Sequence, residues 1–263
     1  MPELPDVEVY RRYIDSTSLH SPVTGVEVPS PGVLRGTTPQ GLGRALKGRA
    51  FGETRRHGKY LFVQLGDEDG YLVLHFGMTG EPAYRRNGGP SPDHTACLFR
   101  FEDGGSLAYV SPRKLGRVSV TGSLSGFIRE HELGPDALSL SQAQFRRLAE
   151  RRRGSVKSFL MNQEVIAGIG NVYSDEILFQ AGIHPRSAVK DLDAADLDAL
   201  RRAMRKVLRQ AIAAGAEPRE MPDSFLLPRR HEEGHCPRCG APLRHVTVSG
   251  RTAWFCPDCQ PLS

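Results

Sequence analysis

The sequence predicts an α+β multidomain protein, in which a helix and an N-terminal antiparallel β-sandwich precede a helical domain and a C-terminal zinc-ribbon hairpin. Short β-branched and aromatic runs, bounded by glycine, aspartate or proline, occupy the first half. Apolar residues at helical spacing follow from about residue 130, and two Cys-x-x-Cys pairs lie near the end. The 263 residues suffice for more than one core. We place the domains at residues 1–128, 129–222 and 223–263.

The first half begins with a predicted helix over Pro5–Ser16, because Val7, Tyr10 and Ile14 fall on one face. Six short strands follow, and their regular spacing is typical of an antiparallel sandwich or barrel. The predicted strands are Val23–Val28, Lys59–Leu65, Tyr71–Phe76, Ala96–Phe101, Ser106–Val110 and Arg117–Thr121. Residues 85–93, rich in glycine, proline and asparagine, are predicted to form a surface loop.

The second half is predicted to be helical. The expected helices are one starting at a capping box of Ser141 and Gln144, followed by Ser155–Met161, Asn171–Ala181 and Asp193–Ala214. Asn171 is the expected N-cap of the third helix, and Gly182 suits the position just past its end. An apolar stripe predicts the buried face of the last helix: Leu197, Leu200, Met204, Leu208 and Ala211.

The cysteines predict a metal site. Four of the five form two Cys-x-x-Cys pairs separated by sixteen residues: Cys236 with Cys239, and Cys256 with Cys259. This spacing is typical of tetrahedral zinc, and four thiolates leave no open position for water, so we predict one structural zinc ion. Leu243–Val248 and Arg251–Phe255 flank Ser249–Gly250, a hairpin turn pair. Disulfide pairing is the alternative, which a cytoplasmic location disfavours. Cys97 lies in an apolar strand and is assigned to the core.

The charge distribution indicates a polyanion partner. The net charge is +5, and the basic residues of the second half form three clusters. They comprise Arg146, Arg147, Arg151, Arg152, Arg153 and Lys157; Arg201, Arg202, Arg205, Lys206 and Arg209; and Arg229, Arg230, Arg238, Arg244 and Arg251. Nucleic acid is the commonest partner of such clusters, and a solvated basic face is the alternative. No apolar run approaches the roughly 20 residues of a membrane helix, so we expect a cytoplasmic protein without a membrane partner.

Pro2 and Glu3 have distinctive chemistry. A small second residue permits removal of Met1, which would leave Pro2 with a free secondary amine. An α-amino group titrates near pH 8, so a fraction is unprotonated at neutral pH and can attack carbon to form an iminium. Glu3 places a carboxylate beside that amine. The alternative is an ordinary helix start, with Pro5 in the first turn and Asp6 at the positive end of the helix dipole.

Five motifs occur in the order found in one known family. They are Pro2–Glu8, His75–Gly80, Gly168–Tyr173, Ala181–Pro185 and Arg251–Gln260. Together they resemble the formamidopyrimidine-DNA glycosylase family and its endonuclease VIII relatives, and the bacterial formamidopyrimidine-DNA glycosylases are nearest in pattern. The likeness extends over nearly the whole chain. It implies a β-sandwich, a helix–two-turns–helix domain and a zinc finger, in agreement with the elements expected from the residues.

The resemblance implies a base-excision-repair glycosylase that is also a lyase at apurinic or apyrimidinic (AP) sites. Such an enzyme flips an oxidised or ring-opened base out of the duplex, excises it through a Schiff base on Pro2, and nicks the strand by β,δ-elimination. Glu3 is the implied general acid, and Lys59 resembles a lysine that reaches a phosphate near the reacting sugar. Glu176 resembles a glutamate that contacts the damaged base or the helix turn. The implied partner is double-stranded DNA with oxidised bases or abasic sites, bound by a monomer at the bacterial nucleoid.

Six further residues match DNA-binding positions of the family: Met78, Arg113, Leu115, Lys157, Asn171 and Arg251. Met78 resembles the residue that fills the hole left by the flipped base, a role suited to a long, flexible apolar side chain. Arg113 resembles the arginine that pairs with the orphaned opposite base. Asn171 and Arg251 match phosphate contacts, and Lys157 matches a lysine near the lesion.

The sequence departs from the family pattern at three places. Asp6 replaces a glutamate, and Leu115 replaces an aromatic wedge beside Ser111, which replaces an aspartate. Residues 215–235 are shorter than the base-capping loop of members that bind 8-oxoguanine. We therefore hypothesise that activity on 8-oxoguanine is weakened, while ring-opened purines, hydantoins or oxidised pyrimidines remain substrates.

Three rival functions stay open at this point. One is an endonuclease VIII-like glycosylase for pyrimidine lesions, and another is a catalytically idle protein that binds damaged DNA. The third is a zinc-ribbon adaptor for nucleic acid. Pro2 and Glu3 argue against the last two, because a protein that only binds needs neither an N-terminal amine nor an adjacent acid.

Overall fold

The computed structural model describes residues 1–66, 70–86 and 89–262. Its contacts divide the chain into two compact units. Unit 1 contains residues 1–2 and 6–132, and unit 2 contains residues 3–5 and the chain from residue 133 onward. The loop predicted over residues 85–93 includes residues 87 and 88, which lie outside the described residues.

Described residues between 4 and 130 form three α-helices and eight strands. They are α1 (Leu4–Thr17), β1 (Val23–Glu27), α2 (Pro39–Leu46), β2 (Phe51–His57), β3 (Tyr60–Leu65), β4 (Tyr71–His75), β5 (Glu81–Arg85), β6 (Thr95–Phe101), β7 (Ser106–Val110), β8 (Arg117–Thr121) and α3 (Leu124–Glu130). All strand pairs are antiparallel, in the orders β1-β6-β7-β5 and β2-β3-β4-β8. The predicted sandwich is confirmed, and its six predicted strands agree with the structure within one residue at each end.

The core of unit 1 lies between its two sheets. Phe51 of β2 meets Phe99 and Phe101 of β6 edge to face, with ring centroids 5.8 and 5.3 Å apart. Each such pair adds about 0.5–1.5 kcal/mol to the gain from buried area. Cys97 is fully buried among these side chains, and its burial raises the pKa of the thiol to about 12. Cys97 is therefore a core residue, as predicted.

β2 and β5 have no counterpart among the predicted strands, because neither is apolar along its length. The polar residues of β2 contact α1. Arg56 Nε donates to Glu8 Oε2 at 3.2 Å, and the Thr54 hydroxyl donates to the Asp15 carboxylate. β5 contains Pro82, which lacks an N–H group. This strand lies at the edge of its sheet, where a missing donor does not interrupt a ladder on both sides.

Two short helices, α2 and α3, were also missed. Each begins at a hydroxyl N-cap: Thr38 accepts the N–H of Gly41 at 3.0 Å, and Ser123 accepts that of Gly126 at 3.1 Å. The glycine that satisfies each cap also lowers the helical propensity of a segment of only 8 or 7 residues. Their sequences consequently resemble loops.

Unit 2 contains the predicted helices and the hairpin. Its elements are α4 (Gln142–Ala149), α5 (Val156–Met161), α6 (Asn171–Ala181), α7 (Ala194–Ala213), β9 (Arg244–Val248) and β10 (Arg251–Phe255). The capping box of Ser141 and Gln144 is confirmed, and Asp193 forms a second one at the start of α7. Gly182 ends α6 with a φ of 71°, the left-handed conformation expected of a C-terminal glycine.

The β9–β10 hairpin has the turn that its sequence predicts. Ser249 and Gly250 both have positive φ values, 50° and 73°. This combination is the type I′ turn, whose twist matches that of the two strands it joins. Among the described residues, no helix combines the length and apolarity that crossing a bilayer requires.

Candidate active site and metal centre

The N-terminal residues assigned to unit 2 are held by the segment that leads into α6. The Leu4 N–H donates to the Gly168 carbonyl at 2.9 Å. The buried Glu3 carboxylate accepts three backbone N–H groups, from Gly170 at 2.6 Å, Val172 at 2.8 Å and Tyr173 at 3.3 Å. Four hydrogen-bonding groups of a segment remote in sequence therefore fix the conformation of residues 3 and 4.

Glu3 is the true cap of α6. The N-cap residue is Gly170, which has no side chain to accept a hydrogen bond, and Asn171 is the first helical residue. The prediction that Asn171 is the N-cap is thus wrong. The Glu3 carboxylate meets the unpaired amides at the positive end of the helix dipole, where an anion is most favourable. A helix start with anion-binding amides is occupied here by a side chain of the protein itself.

The two glycines of the Gly168–Tyr173 motif make this contact possible. Gly168 has a φ of +118°, and a Cβ atom there would lie 2.6 Å from Leu4 Cδ1. A Cβ atom at residue 170 would lie 2.4 Å from Glu3 Cδ. Both separations are too short for carbon atoms, so glycine is required where the backbone approaches Glu3 and Leu4.

Lys157 lies in the interior of unit 2. It is fully buried, and its Nζ contacts the Asp175 carboxylate, the Ser174 hydroxyl at 3.0 Å and the Asn171 carbonyl at 3.2 Å. Burial lowers the pKa of Lys157, although the Asp175 charge opposes that effect. The charge of Lys157 is therefore neutralised inside unit 2, and its place near the lesion stays a prediction.

Asp175 links three parts of unit 2. Besides Lys157, its carboxylate accepts the Arg230 guanidinium at 2.8 Å and the Trp254 N–H of β10 at 3.1 Å. Asp175 was not among the predicted site residues. The only sign of it in the sequence is that an acidic residue follows the Gly168–Tyr173 motif by two positions. A buried charge with several partners is costly to break, so this residue fixes α6 to the hairpin.

Glu176, the next residue of α6, fixes the 215–235 segment. Its fully buried carboxylate accepts the Leu227 N–H and the Gln180 side-chain amide, each at 2.8 Å. Burial raises the pKa of Glu176 to about 7, against the opposing effect of these hydrogen bonds. Glu176 therefore supports the segment in which the chain departs from the family pattern.

The other two residues predicted to be catalytic lie in unit 1. Pro2 is buried in the chain that retains Met1, and Met1 itself is 49% exposed. Lys59 is 8% exposed and lies with Gly58 in the two-residue turn between β2 and β3. Gly58 has a φ of 56°, which this tight turn requires.

Three of the predicted DNA-binding residues are exposed on two neighbouring loops of unit 1. They are Met78, Arg113 and Leu115, with Met78 37% and Leu115 49% exposed. The loops pack closely, because a Cβ atom at Gly77 would lie 2.6 Å from the Leu115 backbone. Their exposure on adjoining loops is compatible with the predicted insertion into DNA, which stays a prediction.

His75 fixes the start of the Met78 loop. Its Nδ1 accepts the Gly77 N–H at 3.3 Å, so the ring proton of the neutral form resides on Nε2. Burial and the charges of Arg117 and Lys59 lower the pKa of His75 to about 4. The ring is therefore neutral at pH 7 and keeps the acceptor that holds Gly77.

The four predicted ligands form a zinc site. All four Sγ atoms lie within 4.8 Å of one another. Cys236 and Cys259 are 3.8 Å apart, Cys239 and Cys256 3.5 Å, and Cys239 and Cys259 3.6 Å. Bond lengths of about 2.3 Å in a tetrahedron give edges of roughly 3.8 Å, so zinc fits. Disulfide pairing is excluded, since these thiols are free. Arg251, predicted to grip a phosphate, is exposed where β10 begins.

Comparison with known proteins identifies the family. Residues 1–118 match the formamidopyrimidine-DNA glycosylase N-terminal domain, residues 133–222 its H2TH domain, and residues 235–262 a zinc finger found in FPG and IleRS. The formamidopyrimidine-DNA glycosylase of Moorella thermoacetica is 37% identical over 276 residues, covering 100% of this chain and 93% of the relative. The chain belongs to the formamidopyrimidine-DNA glycosylase family. It is a base-excision DNA glycosylase, and its four cysteines bind one structural zinc ion.

Further members of the formamidopyrimidine-DNA glycosylase family agree in sequence and fold. The relative from Symbiobacterium thermophilum is 35% identical and covers 100% of this chain and 90% of its own length. Lactococcus lactis Fpg in complex with DNA containing N7-benzyl-Fapy-dG has a TM-score of 0.90 at 28% identity, covering 99% of this chain and 100% of that one. Its complex with DNA containing an abasic site has a TM-score of 0.89 at 28% identity, with 98% and 99% coverage.

The first prediction concerns the Glu3 cap. Gly170→Ala should lower the free energy of unfolding by about 3 kcal/mol, because the new methyl group displaces the Glu3 carboxylate and leaves buried amides unpaired. Denaturant unfolding measures this change. Gly43→Ala is the matched control: residue 43 lies within α2 with nothing within 4 Å of its Cβ position, so it should be neutral or stabilising. Equal stability of the two variants would refute the role assigned to Gly170.

The second prediction concerns Glu176. Because its pKa is about 7 in the folded protein and about 4.5 when unfolded, the folded state binds more protons between these values. The free energy of unfolding should therefore fall as pH rises from about 4.5 to 7, by up to about 3 kcal/mol from this group. Denaturant unfolding across this range should show the decline in wild type and lose that part of it in Glu176→Gln. Glu217→Gln, at an exposed position of the same segment, should follow wild type; an unchanged slope in Glu176→Gln would contradict the assignment.

Proposed function

We propose that this glycosylase is also an AP lyase, and that the Pro2 amine is its nucleophile. The observation that supports this best is the capping of α6 by Glu3. Pro2 is covalently joined to a residue whose carboxylate has three fixed donors, so its nitrogen has a defined position. Without such a contact, the amine at a chain end has no fixed position from which to attack. The idle DNA-binding alternative gives no reason for such placement.

The substrate of the proposed reaction is double-stranded DNA with oxidised or ring-opened bases or abasic sites. The relatives described above were solved with Fapy-type and abasic DNA, which supports these lesions for this chain. The base must first leave the duplex, at a cost of a few kcal/mol. We infer that Met78 and Leu115 enter the vacated space, because both are exposed apolar side chains on adjoining loops. Arg113 pairs with the opposite base, and Lys59, Asn171 and Arg251 contact phosphates.

The chemistry then proceeds on the deoxyribose. After Met1 is removed, the neutral Pro2 nitrogen bonds to C1′ while the glycosidic bond breaks, and the departing base takes a proton from solvent water. The resulting ammonium gives its proton to Glu3, which passes it to the ring oxygen while the C1′–O4′ bond opens to an iminium. Hydrogen bonds from three amides hold the Glu3 carboxylate in one place beside Pro2, which suits this relay of a proton.

Strand cleavage follows from the iminium. It acidifies the C2′ proton, and loss of that proton breaks the C3′–O bond by β-elimination. Loss of the C4′ proton then breaks the C5′–O bond in a second elimination, and water hydrolyses the imine to restore the Pro2 amine. The steps move only protons and electron pairs, and the whole sequence consumes one water molecule. The zinc ion supports the hairpin that presents Arg251, since structural zinc sites of this kind supply folding energy.

The lesion preference of this chain depends on the 215–235 segment. Within it, Glu176 holds the Leu227 N–H and Asp175 holds Arg230, so two buried carboxylates fix a short segment. A short anchored segment has less length available to fold over a base than the longer family loop. We therefore infer weak activity on 8-oxoguanine and stronger activity on ring-opened purines, hydantoins or oxidised pyrimidines.

The third prediction tests the nucleophile. Borohydride reduction in the presence of abasic DNA should trap a covalent adduct with the wild-type protein. One residue inserted between Met1 and Pro2 should abolish the adduct, because the Pro2 nitrogen becomes an amide. Pro90→Gly, in an exposed loop, controls for the loss of a proline and should trap normally. Adduct formation by the insertion variant would exclude Pro2; abasic DNA binding by wild type without any adduct would favour the idle binder.

The fourth prediction tests the lesion preference. Single-turnover excision from matched duplexes should be at least about tenfold slower for 8-oxoguanine opposite cytosine than for a formamidopyrimidine in the same context, because the capping contacts are fewer. Duplexes with a hydantoin or an oxidised thymine complete the series. Activity confined to oxidised pyrimidines would favour the endonuclease VIII-like alternative. Comparable rates on 8-oxoguanine and formamidopyrimidine would defeat the hypothesis.

A further inference from the structure

An arginine-lined cavity in unit 2 has no part in the chemistry described above. It has a volume of about 410 Å³ and lies where the chain enters α5. Its polar lining consists of Arg151, Arg152, Arg153, Ser155, Ser158 and Asn162. Phe159 and Val165 form its apolar part. Three consecutive arginines around a concave site provide up to fifteen N–H donors, and the serines add hydroxyl groups.

The positive charge of this cavity is uncompensated. Among the residues that the structure describes, no carboxylate lines it, and Glu150, which precedes it in the chain, is exposed and outside the lining. All three arginines are exposed, and the described residues offer none of them an ion pair. Other arginines of unit 2 differ: Arg146 pairs with Asp198, and Arg230 pairs with Asp175. The cavity therefore presents three free guanidinium groups to an external anion.

The cavity adjoins the zinc hairpin. Ser158, one of its lining residues, lies with its Oγ 2.6 Å from the Ser249 Oγ in the β9–β10 turn. Arg251, to which we assign a phosphate contact, is two residues further along the chain. An anion bound in the cavity would thus lie near the surface that the proposed function gives to DNA.

We propose that this cavity, named the Arg151–Arg153 site, binds the sugar–phosphate backbone of the substrate DNA outside the damaged nucleotide. Guanidinium forks match phosphate oxygens in geometry and charge. Successive phosphates of a duplex are close enough for three neighbouring arginines to contact more than one of them. The site reads no base, so it extends the length of DNA bound without changing lesion preference. This proposal rests on the proposed function, because it takes the same DNA as its partner.

The fifth prediction tests this site by duplex length and salt. Fluorescence anisotropy would measure binding to abasic-analogue duplexes of about 12 and about 30 base pairs, over roughly 50–200 mM salt. The variant R151Q/R152Q/R153Q should bind the long duplex about tenfold more weakly or worse at low salt. The slope of log affinity against log salt should shrink by about 2 to 3, close to 0.9 per lost phosphate contact. Binding to the short duplex should change by less than threefold.

The matched control is R147Q/R202Q/R219Q, which removes the same charge from exposed positions of unit 2 outside the cavity. It should change the slope by less than about 1. Equal losses in the two variants, or equal losses on both duplexes, would overturn the proposal in favour of general electrostatic attraction. Unchanged binding by R151Q/R152Q/R153Q would overturn it too, and would point to an acidic protein partner.

Borohydride trapping separates this proposal from the proposed function. Both triple variants should form the Pro2 adduct on abasic DNA at saturating protein, with zinc content and melting temperature equal to wild type. If wild type traps DNA while R151Q/R152Q/R153Q keeps the wild-type salt slope, only the proposal for the cavity fails. If wild type neither binds nor traps any lesion, both proposals fail together.

Discussion

A carboxylate at residue 3 that caps a helix beginning at residue 171 is the constraint on which the remaining structure depends. The partners are 167 residues apart in sequence, and each satisfies a need of the other. The helix start has unpaired amides and a glycine that cannot cap them. The buried carboxylate needs hydrogen-bond donors, because burying a charge without partners is costly. Because Glu3 adjoins the proposed nucleophile, the contact that completes the fold of α6 also positions the chemistry. A change that disrupts the Glu3 cap should therefore affect both the stability of α6 and the position of Pro2.

Helix α6 connects the Glu3 contact to the rest of unit 2. Its first turn holds Glu3, its buried Asp175 joins Lys157 to Arg230 and to the hairpin, and its buried Glu176 holds the 215–235 segment. Near its end, the Gln180 carbonyl accepts Arg238, next to the first zinc ligands. A helix that is buried on nearly every side has no solvent face on which to place polar groups. Its charges must be paired internally, where a lost partner costs several kcal/mol.

The sequence predicted what local chemistry determines. The hairpin turn at Ser249–Gly250, the capping box at Ser141 and the four-cysteine site each depend on residues close in sequence, and each is confirmed. β5 was missed because Pro82 is tolerated only at an edge, and edge position follows from sheet order. The wrong N-cap prediction at Asn171 and the burial of Lys157, which was not predicted, have one cause. Their surroundings are set by Glu3 and Asp175 through tertiary contacts, which neither periodicity nor spacing encodes. Family resemblance selected the candidate residues but did not indicate which of their side chains are buried.

The close approach of Gly168 and Gly170 to Leu4 and Glu3 has an evolutionary consequence. Any side chain larger than hydrogen at either glycine would collide with Glu3 or Leu4. Shortening the Glu3 side chain would leave the amides at the start of α6 without their acceptor. A substitution at one of these positions disturbs its partner, so positions 3, 4, 168 and 170 are under joint selection. Across homologues they should be retained or replaced as a set, even though almost two-thirds of the chain separates the two pairs.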